Sequence, residues 1–146
     1  MVNKLDLKIL LRSGSYKFMR NLHAEEKEEI FIYKNHPIHY RAGSSDMHLI
    51  YKILLKSGIK AEYWLPDELE PRTILDIGAN IGISSVYFAN RYPEAKIFSF
   101  EPVPSNYALL EKNIKNYDQI SAFNVALGAE SGDVEIFTSD FKDNYG

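Results

Sequence analysis

Residues 72–102 read RTILDIGANIGISSVYFANRYPEAKIFSFEP. Thr73 to Ile77 is a short apolar run rich in β-branched residues, suited to a buried parallel strand. Asp76 lies near its carboxyl end, and Gly78 and Gly82 bracket a turn into a helix expected over about Ile81 to Arg91. Tyr92-Pro93 punctuates that helix, Lys96 to Phe100 forms a second strand, and Glu101 closes it. The order strand, glycine turn, helix, strand is a βαβ unit. In open α/β sheets, ligands bind beyond the carboxyl ends of the strands, where both acids fall.

The glycine spacing narrows the ligand. A dinucleotide fingerprint needs G-x-G-x-x-G, for a tight turn, close pyrophosphate approach and close helix packing. With Gly78 in first place, Asn80 takes the second and Ile83 the third, where a bulky residue fits poorly. An acid followed by glycines at alternate positions is the pattern of S-adenosylmethionine sites, and Asn80 replaces only the middle glycine. Asn is among the non-glycine residues that best accept positive φ. Glu101, about 20 residues beyond Gly82, is spaced to accept hydrogen bonds from both ribose hydroxyls. The methyl donor is the favoured ligand. NAD, another nucleotide, or a plain buried turn are the alternatives. Asp76 has two open roles, anchoring the turn through backbone N–H groups or touching the cofactor. The Gly78 and Gly82 amides are open to approach because no Cβ stands in the way.

DIGANIG, FSFEPVPSNYALLEKNI and NVALGAESGDVEIF, with YRAGSSD upstream, occur in this order. Together they resemble the FkbM-type S-adenosylmethionine-dependent methyltransferases from about Tyr40 to Phe137. The resemblance implies methyl transfer, usually to a hydroxyl of a sugar or polyketide-type small molecule. Carried over by position, it implies that Asp76, Gly78, Asn80 and Gly82 form the first cofactor loop. Glu101 would hold the ribose and Ala126 would lie near the adenine. It also hints that Arg41 and Asp46 sit near substrate or cofactor, against the plainer reading of a structural ion pair. Members of the family continue through a lysine-isoleucine-aspartate…glutamate-glycine segment that this sequence does not contain. The implied fold is therefore α/β, a Rossmann-like class I methyltransferase sheet incomplete at its carboxyl end, with an α+β amino-terminal prefix.

Length carries the same expectation. A chain of 146 residues makes one domain with a sizeable core. A full methyl-transfer sheet needs more, because each βαβ unit takes roughly 30 residues. The division expected is 1–60 for amino-terminal helices and a hairpin, and 61–146 for the cofactor-binding half. The polar end, FTSDFKDNYG, reads as turn-like, so the chain is expected to be the amino-terminal portion of a larger domain.

Composition is that of an ordinary globular protein, with 45% hydrophobic and 25% charged residues. A net charge of −3 and the lack of a basic stripe argue against nucleic acid as a partner. With no Cys, there is no disulfide framework, thiol nucleophile or thiolate metal site, which fits a cytoplasmic location. The first residues are broken by charge, and nothing approaches the roughly 18 apolar residues of a membrane span. His36, His39 and His48 have no carboxylate at ligand spacing, so no metal is expected, and His23 reads as exposed in a polar helix.

In the prefix, short amphipathic helices run up to about Leu22, interrupted at Gly14, and AEEKEE (24–29) reads as a solvated helix face. Glu29 to Tyr33 and Pro37 to Arg41 read as strands around an Asn35-His36-Pro37 turn. Ser45 is the expected cap of a helix to about Ser57, burying Met47, Ile50, Tyr51, Leu54 and Leu55. Beyond Glu101, Ser105 is the expected cap of a helix from Asn106 to Tyr117. Ile120 to Leu127 is expected as a third strand that can offer backbone groups to an adenine. Val134 to Phe137 is expected as a fourth. Asn124 is either an orienting group for the adenine loop or a backbone cap.

Methyl transfer from a sulfonium is an in-line displacement, helped by a base or metal that removes the acceptor proton. No residue in the sequence is identifiable as that base. Two classes of function remain, an O-methyltransferase portion and a non-catalytic cofactor-binding or interaction module. An NAD-binding fragment is third. An unfinished sheet also exposes an edge and apolar surface, from which self-association is expected.

Overall fold

The computed structural model describes residues 3–58, 61–130, 132 and 133. The chain divides into two compact units, Met1–Glu68 and Leu69–Gly146.

The first unit begins with α1 (Lys4–Ser13). Asn3 and Asp6 form a reciprocal capping box at its start, and Gly14 closes it in the left-handed region. Ser15 caps α2 (Tyr16–Arg20), and a 3₁₀ turn follows at Asn21–His23. The charge run at 24–29 is not a helix face: strand β1 (Lys27–Tyr33) starts inside it. β1 pairs antiparallel with β2 (His36–Ala42), Phe31 opposite Ile38 and Tyr33 opposite His36. The hairpin turns at Lys34-Asn35, both at positive φ (47° and 67°), so His36 and Pro37 belong to the strand. Primed turns of this kind match the twist of the strands they join. The inward face of the hairpin carries Phe31, Ile38 and Tyr40, and Phe18 packs on it with ring centroids 4.6 Å from Phe31.

The next helix differs from expectation at both ends. Ser45 occupies the N-cap position without a side-chain cap bond. The hydroxyl of Ser44 accepts from Asp46 N instead. α3 (Asp46–Leu49) then widens into a π-helix, Ile50–Leu55, that ends at the extended Lys56. Ile53 joins Met47, Ile50, Tyr51 and Leu54 in the core, while Leu55 is half-buried.

In the second unit β3 (Thr73–Ile77), β4 (Lys96–Phe100) and β5 (Ile120–Phe123) form a parallel sheet in that order. α4 (Ile83–Arg91) and α5 (Pro104–Ile114) make the two crossovers. This is the Rossmann-like α/β arrangement the sequence implies. Both crossovers advance in one direction, so right-handed connection places both helices on one face. Ile97, Ser99 and Ile120 are buried beneath them. The expectation of a buried β3 is met only at Asp76; Ile74, on the same face, is half-buried. On the other, Leu75 and Ile77 are 59% and 63% exposed, and Phe123, 41% exposed, stacks on Phe100 at 5.2 Å. α5 starts on Pro104 with Val103 at the N-cap, two residues earlier than a Ser105 cap would give. β5 stops at Phe123; the strand expected at 134–137 lies outside the described residues. No helix among the described residues is long and apolar enough to cross a membrane.

Candidate functional site

The loop from Gly78 to Gly82 leaves β3 and enters α4 with three residues at positive φ, Gly78 (80°), Asn80 (51°) and Gly82 (85°). The end of β4, Glu101 just beyond it, α5 and a bond within the loop hold it. The carbonyl of Phe100, at the end of β4, accepts from both Gly78 N and Ala79 N, at 2.9 and 3.0 Å. Glu101 Oε2 accepts from Asn80 N at 2.8 Å. From α5, buried Asn113 donates to the carbonyl of Ile81 at 2.8 Å. Gly82 N turns back onto Ala79 O at 2.8 Å, and Leu110 packs where a Gly82 Cβ would stand.

The two acids are both buried, Asp76 at 8% and Glu101 at 4% exposure. Asp76 Oδ2 accepts from the hydroxyls of Ser84 and Ser85, at 2.7 and 2.5 Å, and Ser85 continues to Ser99 at 2.8 Å. Its observed bonds therefore fasten the first turn of α4, not the backbone N–H groups of the glycine turn. Glu101 is bonded on both oxygens, Oε2 to Asn80 N and Oε1 to Val103 N at 2.9 Å. It clasps the glycine loop to the start of α5. Each of its oxygens keeps a second lone pair for a ligand. Both carboxylates are thus satisfied by neutral donors, and the negative charge stays in the site.

The glycine amides are not open to a ligand as the sequence suggests, because Gly78 N and Gly82 N are both spent on backbone carbonyls. What the glycines supply is the left-handed backbone and, at Gly78, open space with nothing within 4 Å of a Cβ position. Asn80 is half-buried, and its Oδ1 is buried without a hydrogen-bond partner.

Asp76, Gly78, Asn80, Gly82 and Glu101 are therefore brought together at the carboxyl ends of β3 and β4. Beyond β5, Ala126 is exposed and lines a groove of about 640 Å³ with Pro102, Asn124 and Val125. Asn124 donates to the carbonyls of Glu101 and Pro102, at 2.8 and 3.2 Å, and so ties the end of β5 to the end of β4. Arg41 and Asp46 lie in the first unit. Their guanidinium–carboxylate pair is bidentate, at 2.8 and 2.9 Å, and Asp46 is fully buried. His23 pairs with Asp6 at 3.0 Å, beyond the simple exposure the sequence suggests. No cluster of three or more His, Cys, Asp or Glu that could hold a metal occurs among the described residues.

Sequence reading missed Ser84, Ser85, Ser99 and Asn113. The first two carried a signal, since hydroxyls in the first turn of a helix that follows an acid-tipped strand can reach back to that acid.

No family model matches the chain. Over 48 residues, 33% of this chain and 18% of the relative, the sequence is 48% identical to Methyltransferase sdnD of Sordaria araneosa. Methyltransferase 1 of Beauveria bassiana (strain ARSEF 2860) is 31% identical over 65 residues, 43% of this chain and 26% of the relative. The chain thus spans about a quarter or less of the length of these relatives. Among solved structures, P. horikoshii TYW2 in complex with MeSAdo aligns with a TM-score of 0.45 and 19% identity, over 72% of this chain and 38% of that one.

Proposed function

We propose that the second unit carries the S-adenosylmethionine site of a methyltransferase. The observation that carries this reading is the charge and bonding state of the loop. Gly78, Ala79, Asn80 and Gly82 all donate their N–H groups to protein acceptors. A pyrophosphate-binding loop needs such amides free. The same loop is flanked by two buried carboxylates whose partners are uncharged. A site of that sign disfavours a dinucleotide and favours a cation such as a sulfonium. The sequence similarity to two methyltransferases supports the same reading.

The residues present fit the donor. Glu101 has lone pairs for the ribose, the open face of Gly78 leaves room for the chain that bears the sulfonium, and Asn80 offers an unused acceptor. Ala126 lines the groove suited to the adenine. When bound, the donor supplies an electrophilic methyl group for in-line displacement. The protein's part is to orient the donor and keep its own amides out of competition. The finer reading is O-methylation of a sugar or polyketide-type hydroxyl by an FkbM-type enzyme, supported by the ordered motifs YRAGSSD, DIGANIG and FSFEP.

Calorimetric titration of the 146-residue chain with S-adenosylhomocysteine tests the proposal, with NAD and Glu101→Ala as controls. Saturable binding that the variant loses is the expected result. Binding of NAD in its place, or a folded chain that takes up neither, would overturn it.

A further inference from the structure

The first unit holds a groove of about 630 Å³ that plays no part in the proposed donor site. Tyr16, Lys17 and Arg20 of α2 line it, with His23 of the 3₁₀ turn and Lys27 and Glu29 of β1. Its acids lie deep and its cations lie outside. The Glu29 side chain is 13% exposed, against 68% for Lys17 and 61% for Lys27. Glu29 gives one oxygen to each lysine, Oε2 to Lys17 at 2.6 Å and Oε1 to Lys27 at 2.9 Å. Asp6, the other acid in the lining, is buried, and its two oxygens accept from Asn3 N and His23 Nε2. Glu25 and Glu26 are exposed close by in the sequence but do not line the groove.

Donors are left over on the cations. Each lysine ammonium carries three N–H groups and shows one ion pair, and Arg20 carries five. The exposed Arg20 guanidinium makes no hydrogen bond or ion pair with a described residue. Every carboxylate oxygen in the lining already accepts a bond, so a groove of spare donors calls for an oxyanion. Lys17, Arg20 and Lys27 face the single charge of Glu29, which leaves a double positive charge, and protonated His23 cancels Asp6. That balance suits a dianion better than a lone carboxylate. The volume falls within the ~300–1,000 Å³ usual for small-molecule sites, more than a phosphate alone would fill. Tyr16, 63% exposed, adds an aromatic wall.

We infer that this groove binds a small molecule bearing a phosphate monoester. Lys17, Arg20 and Lys27 hold the phosphoryl oxygens, and Tyr16 flanks the organic part. Glu29 is a positioning residue, gathering two ammonium groups that would otherwise repel each other.

The test is an NMR titration of the 146-residue chain with inorganic phosphate, phenyl phosphate and acetate. Saturable amide shifts centred on residues 16–29 are expected, at lower concentration for phenyl phosphate than for phosphate, and none with acetate. Arg20→Gln and Lys27→Gln should each weaken phenyl phosphate by about 10-fold, as for a lost charged hydrogen bond. Both side chains are exposed, so both variants should keep the dispersed spectrum of the folded chain. Lys115→Gln, exposed in the second unit, removes the same charge far along the chain and should leave the affinity unchanged. An equal loss in Lys115→Gln would reduce the effect to net charge and overturn the inference. So would a folded chain that shows no saturation, or acetate binding as well as phosphate. Equal affinity for the two phosphates would leave an ion site and overturn the assignment of a small molecule. Titration with S-adenosylhomocysteine reports on the donor site separately, so failure here and failure there are distinct.

Discussion

Leu110 Cδ1 lies 2.6 Å from where a Cβ on Gly82 would stand, so α5 docks on the glycine loop through a missing side chain. Gly78 has the same left-handed backbone with open space around it. The two positions separate packing from conformation. Gly82→Ala should destabilise by about 2–4 kcal/mol, from overpacking added to left-handed strain. Gly78→Ala should cost only the strain, about 1–2 kcal/mol. Urea denaturation measures both, and equal losses would contradict the packing role of Gly82.

Glu101→Gln isolates the clasp. The carboxylate accepts two backbone N–H groups, whereas an amide offers one oxygen and turns an NH₂ toward the other donor. A loss of about 1–3 kcal/mol is expected, as for a buried donor left unsatisfied. Amide exchange should speed up at either Asn80 or Val103, and NMR exchange rates that stay the same at both would refute the clasp.

Ser85→Ala removes the hydroxyl that links Asp76 to Ser99, at 2.5 and 2.8 Å. The buried carboxylate then keeps Ser84, and the expected loss is about 1–3 kcal/mol. Ser84→Ala combined with Ser85→Ala should cost more than the sum of the single changes, because Asp76 loses both of its hydroxyl donors. Additive chemical-denaturation free energies would argue against a shared acceptor.

The Asp6 carboxyl is held below its ordinary 3.8, chiefly by the Asn3 backbone N–H and also by His23. A folded-state pKa below the unfolded one means stability is present above the unfolded value and lost as pH falls through the folded one. The capping contribution should therefore fade as pH drops below about 3.8. Asp6→Asn should be less stable than wild type at neutral pH, with the gap closing in acid. A gap that persists at pH ~2 would show that the carboxylate charge is not involved.

The open face of the sheet, with Leu75, Ile77 and Phe123 exposed, should favour association at high concentration. Phe123→Ser should lower the concentration dependence of the sedimentation coefficient. A wild-type chain that sediments as a monomer throughout would remove this expectation.

The sheet was legible in the sequence for a simple reason. Runs such as Thr73–Ile77 and Lys96–Phe100 have one interpretation at their length, and the carboxyl-end rule then gathers Asp76, Gly78, Asn80, Gly82 and Glu101 without any contact being known. Bonding was not legible. Whether Gly78 N faces a ligand or the Phe100 carbonyl depends on parallel register, which places that carbonyl beside the turn. Capping between adjacent serines was not legible either. Ser44 and Ser45 differ only in which one the chain's entry angle aims at Asp46 N. At α5 the signal was present in the sequence, since Pro104 marks a first helical position better than Ser105 marks a cap. The π-helix at Ile50–Leu55 changes the hydrogen-bond ladder by one residue, and apolar spacing at 47, 50, 51 and 54 does not reveal it.

The fastening of the glycine loop sets when the site can exist. Phe100, Glu101, Leu110 and Asn113 lie 18 or more residues downstream of Gly82, so beyond the local turn bond from Gly82 N to Ala79 O the loop is held from afar. Its full set of bonds closes only when β4 has paired and α5 has docked. In the native protein the Asn80 amide should then exchange with solvent only when that whole βαβ unit opens, which makes it a probe of cooperative unfolding instead of loop motion.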